Sequence, residues 1–131
     1  MTFVDTAGWA ALFVGSDPDH LPAAEWIRQH SGRLVTSDYV LDETLTLLKA
    51  RHGVQLSVSA GDALWSGRLA TLVYLSPADI REGWRVFRNY SDKGWSFTDC
   101  TSYALMRRLR MAEAFSFDRH FSQMPGIHRV P

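Results

Sequence analysis

Four acidic side chains occur in settings that would bring them together in a folded chain: Asp5, Glu43, Asp99 and Asp118. Asp5 ends a short β-prone segment, and Asp118 follows another at residues 114–117. Because ligands of an open parallel sheet bind outside the carboxyl ends of its strands, we expect both carboxylates at one crevice. Asp99 lies in the first turn of a predicted helix. Glu43 flanks the apolar stripe of another helix, where it can face the same crevice.

Such a cluster has a definite chemistry. Carboxylates held together without a counter-ion repel one another by about 1 to 4 kcal/mol per close pair, so they take up protons or bind a cation. Mg²⁺ prefers oxygen ligands and takes one or two protein carboxylates directly, while the others hold waters or a second ion. A metal bound in this way polarises a phosphodiester and helps to generate a hydroxide-like water. The pattern therefore predicts phosphodiester hydrolysis without a covalent intermediate.

Each acid also has a purely structural explanation. A carboxylate in the first turn of a helix, such as Asp99, interacts favourably with the helix dipole. Asp5 and Asp118 are also explained as polar residues that end buried strands, and Glu43 as a solvated helix residue. Thr98 is predicted to cap the helix of Asp99, and its hydroxyl could alternatively reach a metal-bound water or a phosphate. Spacing alone leaves these alternatives open.

Short β-prone segments alternate with longer helical ones along the chain. We predict strands at residues 1–5, 33–36, 70–75 and 114–117, an edge strand at 127–130, and full burial of the strand at 70–75. Helices are predicted at 7–13, 21–30, 38–52, 56–68, 77–90 and 99–110. This alternation requires crossover connections. The fold class is therefore α/β, with a central, mostly parallel sheet of four or five strands and helices on both faces.

The composition is that of one ordinary globular domain. The chain has 131 residues, of which 46% are hydrophobic and 21% charged, which excludes a disordered chain. No internal repeat or long linker divides it, so we expect a single domain over residues 1–131. Fourteen basic residues balance fourteen acidic ones, so any nucleic-acid binding must use local patches. With one cysteine, no export-type N-terminal segment and no apolar run of roughly 20 residues, we expect a cytoplasmic protein without a membrane span.

Four short segments surround the acids, and their order and setting are informative. They are Phe3-Val-Asp5-Thr-Ala-Gly-Trp, Val40-Leu-Asp-Glu43-Thr-Leu, Ser96-Phe-Thr-Asp99-Cys and Phe115-Ser-Phe-Asp118-Arg-His-Phe121. Together they resemble the four acidic motifs of the PIN-domain family, especially its VapC-type toxin branch, across nearly the whole chain. The resemblance implies a three-layer α/β/α domain.

The same resemblance implies a function. It implies a metal-dependent endoribonuclease that cleaves single-stranded RNA with Mg²⁺ or Mn²⁺. The metal would be held by Asp5, Glu43, Asp99 and Asp118, with Asp5 and Asp99 in direct contact and Thr98 assisting. It further implies a homodimer and, for a toxin of a type II toxin–antitoxin pair, a cognate antitoxin. Some relatives mature or degrade RNA without being toxins, so an RNA-processing role is an alternative.

Other chemistry-bearing residues have less specific interpretations. Arg107, Arg108 and Arg110 form a basic run that either contacts phosphate or is a solvated face complementing a helix C-terminus. His120 is interpreted as a capping or surface residue, because a metal-carboxylate site needs no separate general base. Cys100 is interpreted as a small buried residue. The segment around Trp65 is a candidate groove for an antitoxin helix.

The sequence also allows a comparison with three other classes of protein. A phosphoacceptor receiver domain needs paired N-terminal acids and a lysine after the last strand, but Asp5 is followed by Thr6 and Ala7 and no suitable lysine follows Asp118. A phosphatase of the haloacid dehalogenase type needs Asp-x-Asp, which is absent for the same reason. A catalytically inactive PIN scaffold acting through protein contacts remains the binding-module alternative, and an intact fold without metal affinity would identify it.

Overall fold

The computed structural model describes all residues from Met1 to Pro131 as one five-stranded sheet and seven helices. The strands are β1 (Thr2–Val4), β2 (Leu34–Ser37), β3 (Thr71–Val73), β4 (Glu113–Phe115) and β5 (His128–Val130). The helices are α1 (Thr6–Phe13), α2 (His20–Gln29), α3 (Asp38–His52), α4 (Val54–Trp65), α5 (Pro77–Asn89), α6 (Phe97–Arg108) and α7 (His120–Gln123). None of the helices is both long and apolar enough to cross a bilayer.

The sheet is parallel throughout, with the strand order β3-β2-β1-β4-β5. The chain leaves β1 toward β2 and β3 on one side and later returns to place β4 on the other side of β1. Helices departing from β1 and β4 therefore open a crevice at the carboxyl ends of these two strands, where ligands of such sheets bind. Val4 pairs with Phe115, so Asp5 and Ser116 are the first residues beyond the paired ends. The predicted α/β fold with helices on both faces is confirmed.

The central strands are short and apolar because both of their faces are covered. Phe3, Val4, Ala114 and Phe115 are completely buried and form the middle of the core. Trp9 of α1 packs into the same core, and its indole N–H donates a 3.1 Å hydrogen bond to the Thr36 hydroxyl. A buried tryptophan normally needs such a partner, and this bond fixes α1 across the ends of β1 and β2.

The structure corrects two sequence predictions about elements away from the crevice. The strand at 70–75 was predicted to be fully buried, but β3 is an edge strand whose residues are exposed or half-buried. An apolar run alone does not distinguish an edge strand from a central one. The four-residue helix α7 was not predicted, because a single turn leaves no periodicity to detect.

The pair α5 and α6 forms the tightest helix contact in the fold. Gly83 of α5 lies so close to α6 that an added Cβ would be 2.6 Å from the Thr101 methyl group. The same two helices are joined by a two-pronged ion pair, in which Arg108 donates to Asp79 at 2.6 and 3.0 Å. This pair holds α6 in place, and α6 carries Asp99 at its N-terminal end.

Candidate active site

Asp5 is the single residue that connects β1 to α1. Its backbone is extended, and its Oδ1 accepts a 2.8 Å hydrogen bond from the backbone N–H of Gly8, so Asp5 is the N-cap of α1. The side chain is therefore oriented by the helix that begins there. The side chain is only 5% exposed and lies at the crevice, as predicted from its position at the end of a strand.

Ser116 contacts Asp5 from the neighbouring strand and was not predicted. The Ser116 hydroxyl donates a 2.8 Å hydrogen bond to Asp5 Oδ2 and accepts one from the backbone N–H of Asp118 at 2.9 Å. Because serine is small and common after strands, no sequence signal distinguished it except its position two residues before Asp118. The pairing of β1 with β4 is what places the two side chains together.

Asp99 is held at the start of α6 by a capping box. The Ser96 hydroxyl accepts from the backbone N–H of Asp99 at 3.0 Å, and Asp99 Oδ2 accepts from the backbone N–H of Ser96 at 3.0 Å. The prediction that Thr98 caps this helix is therefore wrong: α6 begins at Phe97, and Ser96 is its N-cap. A Ser with an acidic residue three positions later is the expected signature of a capping box. Asp99 combines the structural role with a place at the crevice.

Asp118 and His120 complete the acidic cluster from the loop after β4. His120 Nδ1 lies 3.1 Å from Asp99 Oδ2 and 3.4 Å from Asp118 Oδ1. Ligand atoms of these three residues lie within 4.8 Å of one another, which is the separation expected of groups around one cation. The sequence interpretation of His120 as a capping or surface residue did not include this contact: its ring is a quarter exposed and lies against both carboxylates.

All four predicted acids line one cleft of about 310 Å³. Asp5 and Glu43 are not members of the close group formed by Asp99, Asp118 and His120. Glu43 enters the cleft from α3, as its position beside the apolar stripe predicted. Two further acids, Asp17 and Asp19, line the rim from the loop between α1 and α2, where the sequence indicated only a turn. Arg51 is the single basic residue in the lining. Thr98 does not line this cleft and instead faces an adjoining one beside Glu43.

The electrostatics of the cleft favour a cation. The pKa of Asp5 is raised from 3.8 to about 7, mainly by burial and to a smaller extent by the neighbouring Asp99 and Asp118, while the hydrogen bonds from Gly8 and Ser116 act to lower it. Burial also raises the pKa of Asp99, with Asp118 contributing in the same direction. Raised carboxyl pKa values mean that negative charge in the cleft lacks compensation. Clustered oxygen donors of this kind fit a hard divalent metal ion.

Other predicted features have structural roles. Arg108 is tied to Asp79, and Arg107 lies over the Tyr103 ring at 5.6 Å, so two members of the basic run serve packing within and around α6. Cys100 is buried as predicted, and burial raises the pKa of its thiol to about 11, which makes it a poor nucleophile. Cys100 also does not line the acidic cleft, so it is not a candidate nucleophile there.

The structure therefore combines a parallel α/β sheet with a cluster of carboxylates at the point where the strand order reverses, a donor set that fits a divalent metal ion. The chain belongs to the PIN-domain family, whose PIN domain matches residues 2–127.

Two relatives and one solved structure show which branch of the family the chain resembles. It is 37% identical over 125 residues to the 23S rRNA-specific endonuclease VapC20 of Mycobacterium tuberculosis, covering 93% of this chain and 92% of that one. It is 30% identical over 125 residues to Ribonuclease VapC26 of the same organism, covering 95% and 92%. The crystal structure of VapC20, described as a Sarcin-Ricin loop cleaving toxin, superposes with a TM-score of 0.91 over 95% of each chain.

A more distant likeness concerns the fold alone. A toxin–antitoxin complex from Klebsiella pneumoniae superposes with a TM-score of 0.71 at 17% identity, covering 100% of this chain and 97% of that one. The predictions of a PIN domain, of ribonuclease chemistry and of membership in the VapC-type branch are confirmed.

Proposed function

We propose that this protein is an Mg²⁺- or Mn²⁺-dependent endoribonuclease whose metal is held by Asp5, Glu43, Asp99 and Asp118. One observation carries the proposal: four carboxylates from separate elements meet in one cleft, where burial raises the pKa of two of them. Asp5 and Asp99 would contact the metal directly, and Glu43 and Asp118 would complete the set of oxygen donors around it. A divalent ion bound there supplies the positive charge that polarises the phosphodiester and acidifies water.

The protein residues have distinct tasks around that ion. Gly8 N–H and the Ser116 hydroxyl each occupy one lone pair of Asp5, which leaves one lone pair on each oxygen for a ligand. The capping box fixes the orientation of Asp99. His120 bridges Asp99 and Asp118, and so limits their separation. Because a divalent metal bound there would acidify a water molecule, we assign water as the attacking group, and the products would form in a single displacement. Thr98, in the adjoining cleft, is assigned an assisting contact with RNA.

The substrate class follows from the relatives. The 37% identical relative is named for 23S rRNA, and its structure for cleavage of the Sarcin-Ricin loop. We propose that RNA presenting unpaired nucleotides is cut, and that this rRNA loop is the first target to test. The high coverage supports the transfer, since the match spans 93% of this chain and 92% of the relative.

The deciding experiment is cleavage of an RNA hairpin carrying that loop, alongside a mixed single-stranded RNA pool, by purified protein. Mg²⁺, Mn²⁺ and EDTA are compared, with Asp99→Asn as the inactive control. Cutting of either RNA that is lost with EDTA and with the variant supports the proposal. Cutting that survives in Asp99→Asn rejects the site. An intact fold with no cutting and no Mg²⁺ or Mn²⁺ affinity by calorimetry identifies the inactive scaffold.

An antitoxin partner and a homodimer are also proposed. The exposed side chains of Val54, Val58 and Trp65 on α4 support an apolar contact for an antitoxin helix. On a different surface, Trp84 and Phe87 of α5 stack at 5.8 Å and remain exposed, which supports contact with a second copy. Light scattering of wild type and Trp84→Ser tests the dimer. Coexpression of Trp65→Ser with the candidate antitoxin, followed by copurification, tests the antitoxin contact.

A further inference from the structure

One stripe of α3 joins the acidic cleft to a second cleft. Glu43, Leu47 and Arg51 are spaced four residues apart, which places them above one another on the same face of the helix. All three line the acidic cleft, and all three also line the adjoining cleft of about 450 Å³. The two clefts therefore form a continuous trough along this face of α3, with Thr46 and Thr98 in its outer part.

Arg51 is the only basic side chain in this trough. The remaining charged residues of the lining are all acidic, so an RNA strand entering the trough meets repulsion everywhere except at the metal and at Arg51. The ion pairs within the chain all join other residues, so the Arg51 guanidinium is unpaired. Its planar set of donors is suited to two-pronged contact with a phosphate.

The helix geometry also places Arg51 at a useful distance. Two turns of α3 separate it from Glu43, which corresponds to about 12 Å along the axis at 1.5 Å per residue. A residue that far from the metal site, with a long side chain directed into the trough, contacts a phosphate adjacent to the scissile one rather than the scissile phosphate itself. Its role is then to anchor the strand.

We propose that Arg51 is an RNA-binding residue that holds a phosphate neighbouring the cleaved bond, and that the strand follows the trough along α3 past Thr98. This inference rests on the proposed nuclease function, because it assumes RNA in the cleft. The competing explanation is that Arg51 only complements the negative C-terminal end of α3, as basic residues in a last helical turn do.

Lys49 provides a matched control for that explanation. It lies in the same last turn of α3, is exposed, and lines neither cleft. Replacing Lys49 by Gln removes the same charge from the same helix end but leaves the trough unchanged. The variants are therefore Arg51→Gln, Arg51→Lys and Lys49→Gln, each made in the wild type and in the cleavage-deficient Asp99→Asn protein.

Binding is measured by fluorescence anisotropy of the labelled RNA hairpin with the Asp99→Asn proteins in Mg²⁺, at several salt concentrations. Arg51→Gln is expected to weaken binding roughly tenfold, since a charge-assisted hydrogen bond is lost. It should also reduce the slope of log K against log salt by about 0.7, the value for one contact to a single-stranded phosphate. Arg51→Lys should keep the slope but lose part of the affinity, and Lys49→Gln should match the parent.

Cleavage kinetics provide the second readout. In the active background Arg51→Gln is expected to raise KM about tenfold, with a much smaller change in kcat, because it removes strand binding rather than metal chemistry. Equal losses of affinity in Arg51→Gln and Lys49→Gln, or no loss in either, would overturn the assignment. Absence of both cutting and Mg²⁺ or Mn²⁺ affinity in folded wild type would reject the proposed nuclease function instead, and the anisotropy comparison would still decide whether Arg51 binds RNA.

Discussion

The hydroxyl of Ser116 donates a 2.8 Å hydrogen bond to Asp5 Oδ2 although the two residues are 111 positions apart in the sequence. The contact exists because β1 and β4 are adjacent parallel strands and both residues follow the last paired position. The same hydroxyl accepts from the backbone of Asp118. One buried serine therefore orients two carboxylates of the cleft, and its removal should affect both.

Ser116→Ala should weaken metal binding and lower cleavage about tenfold, and should reduce the free energy of unfolding by about 1 to 2 kcal/mol. The lost hydrogen bond is one of the contacts that lower the pKa of Asp5, so proton competition at this carboxyl increases. The deficit in Mg²⁺ affinity, measured by calorimetry, should therefore be larger at pH 6.5 than at pH 8.5. Ser102→Ala is the control, because Ser102 is buried and its hydroxyl has no partner. Equal effects of the two substitutions would contradict the assigned role.

Asp5→Asn should stabilise the metal-free protein at alkaline pH while abolishing cleavage. The pKa of Asp5 is about 7 in the folded protein, against 3.8 for the ordinary side chain. The free energy of unfolding therefore falls as the pH rises from about 4 to 7, because the unfolded state loses this proton more readily. The cost reaches about 4 kcal/mol above pH 7, at 1.36 kcal/mol for each tenfold change in proton affinity. Urea denaturation in EDTA should show the variant more stable than wild type at pH 8, by about 2 to 4 kcal/mol, and equal to it near pH 4.

Adding Mg²⁺ at pH 8 should reverse the order of stability. A metal that binds only the folded state stabilises it by an amount that grows with the logarithm of its affinity, and the variant has lost a ligand. If Asp5→Asn were less stable than wild type in EDTA at pH 8, the uncompensated charge inferred for this cleft would be absent.

The acidic site could be predicted from the sequence for two reasons. The hydrophobic periodicity indicates where the helices and strands lie, and the carboxylates lie at the ends or edges of these elements. Asp5 and Asp118 follow strands, and Glu43 borders an apolar helix stripe. The contribution of Ser116 could not be predicted, because it depends on which strands are neighbours. The prediction that Thr98 caps α6 was wrong for a local reason. Ser96 and Thr98 are both residue types that cap helices and lie two positions apart, and only the hydrogen bonds of Ser96 show that it is the N-cap.

Outside the site, too, some features of the fold could be predicted from the sequence and others could not. The six longer helices were predicted to within a few residues at their ends, because caps and glycines such as Gly53 mark where they begin or end. The exposure of β3 was not predictable, since it depends on the position of the strand at the sheet edge. Similarly, the rim position of Asp17 and Asp19 arises from how α1 and α2 pack, which a turn motif does not encode.

Asp79→Asn should destabilise the protein by about 2 kcal/mol through loss of the two-pronged contact with Arg108. Asp79 is buried, and the Arg108 guanidinium holds the pKa of that carboxyl below its usual value. A carboxyl group whose pKa is lowered by folding stabilises the protein at pH values above its pKa in the unfolded state. The difference in free energy of unfolding between wild type and variant should therefore be complete at pH 7 and shrink as the pH falls below about 4. Glu82→Gln, in an exposed pair with Arg85, should cost no more than about 0.5 kcal/mol. Thermal unfolding at several pH values would show the contrast, and an equal cost for both variants would refute it.

Gly8→Ala should damage both stability and the metal site, because α1 begins against β4 with no room for a side chain. A Cβ at Gly8 would lie 2.6 Å from the Phe115 carbonyl oxygen and 2.8 Å from its ring. The start of α1 must then move away from β4, carrying with it the N–H that orients Asp5. We expect a loss of at least about 2 kcal/mol, as for other overpacked core positions, together with weaker Mg²⁺ binding by calorimetry. Gly15→Ala, with open space around its Cβ position, should be neutral or slightly stabilising. Unchanged Mg²⁺ affinity in a folded Gly8→Ala protein would show that the helix start does not position Asp5.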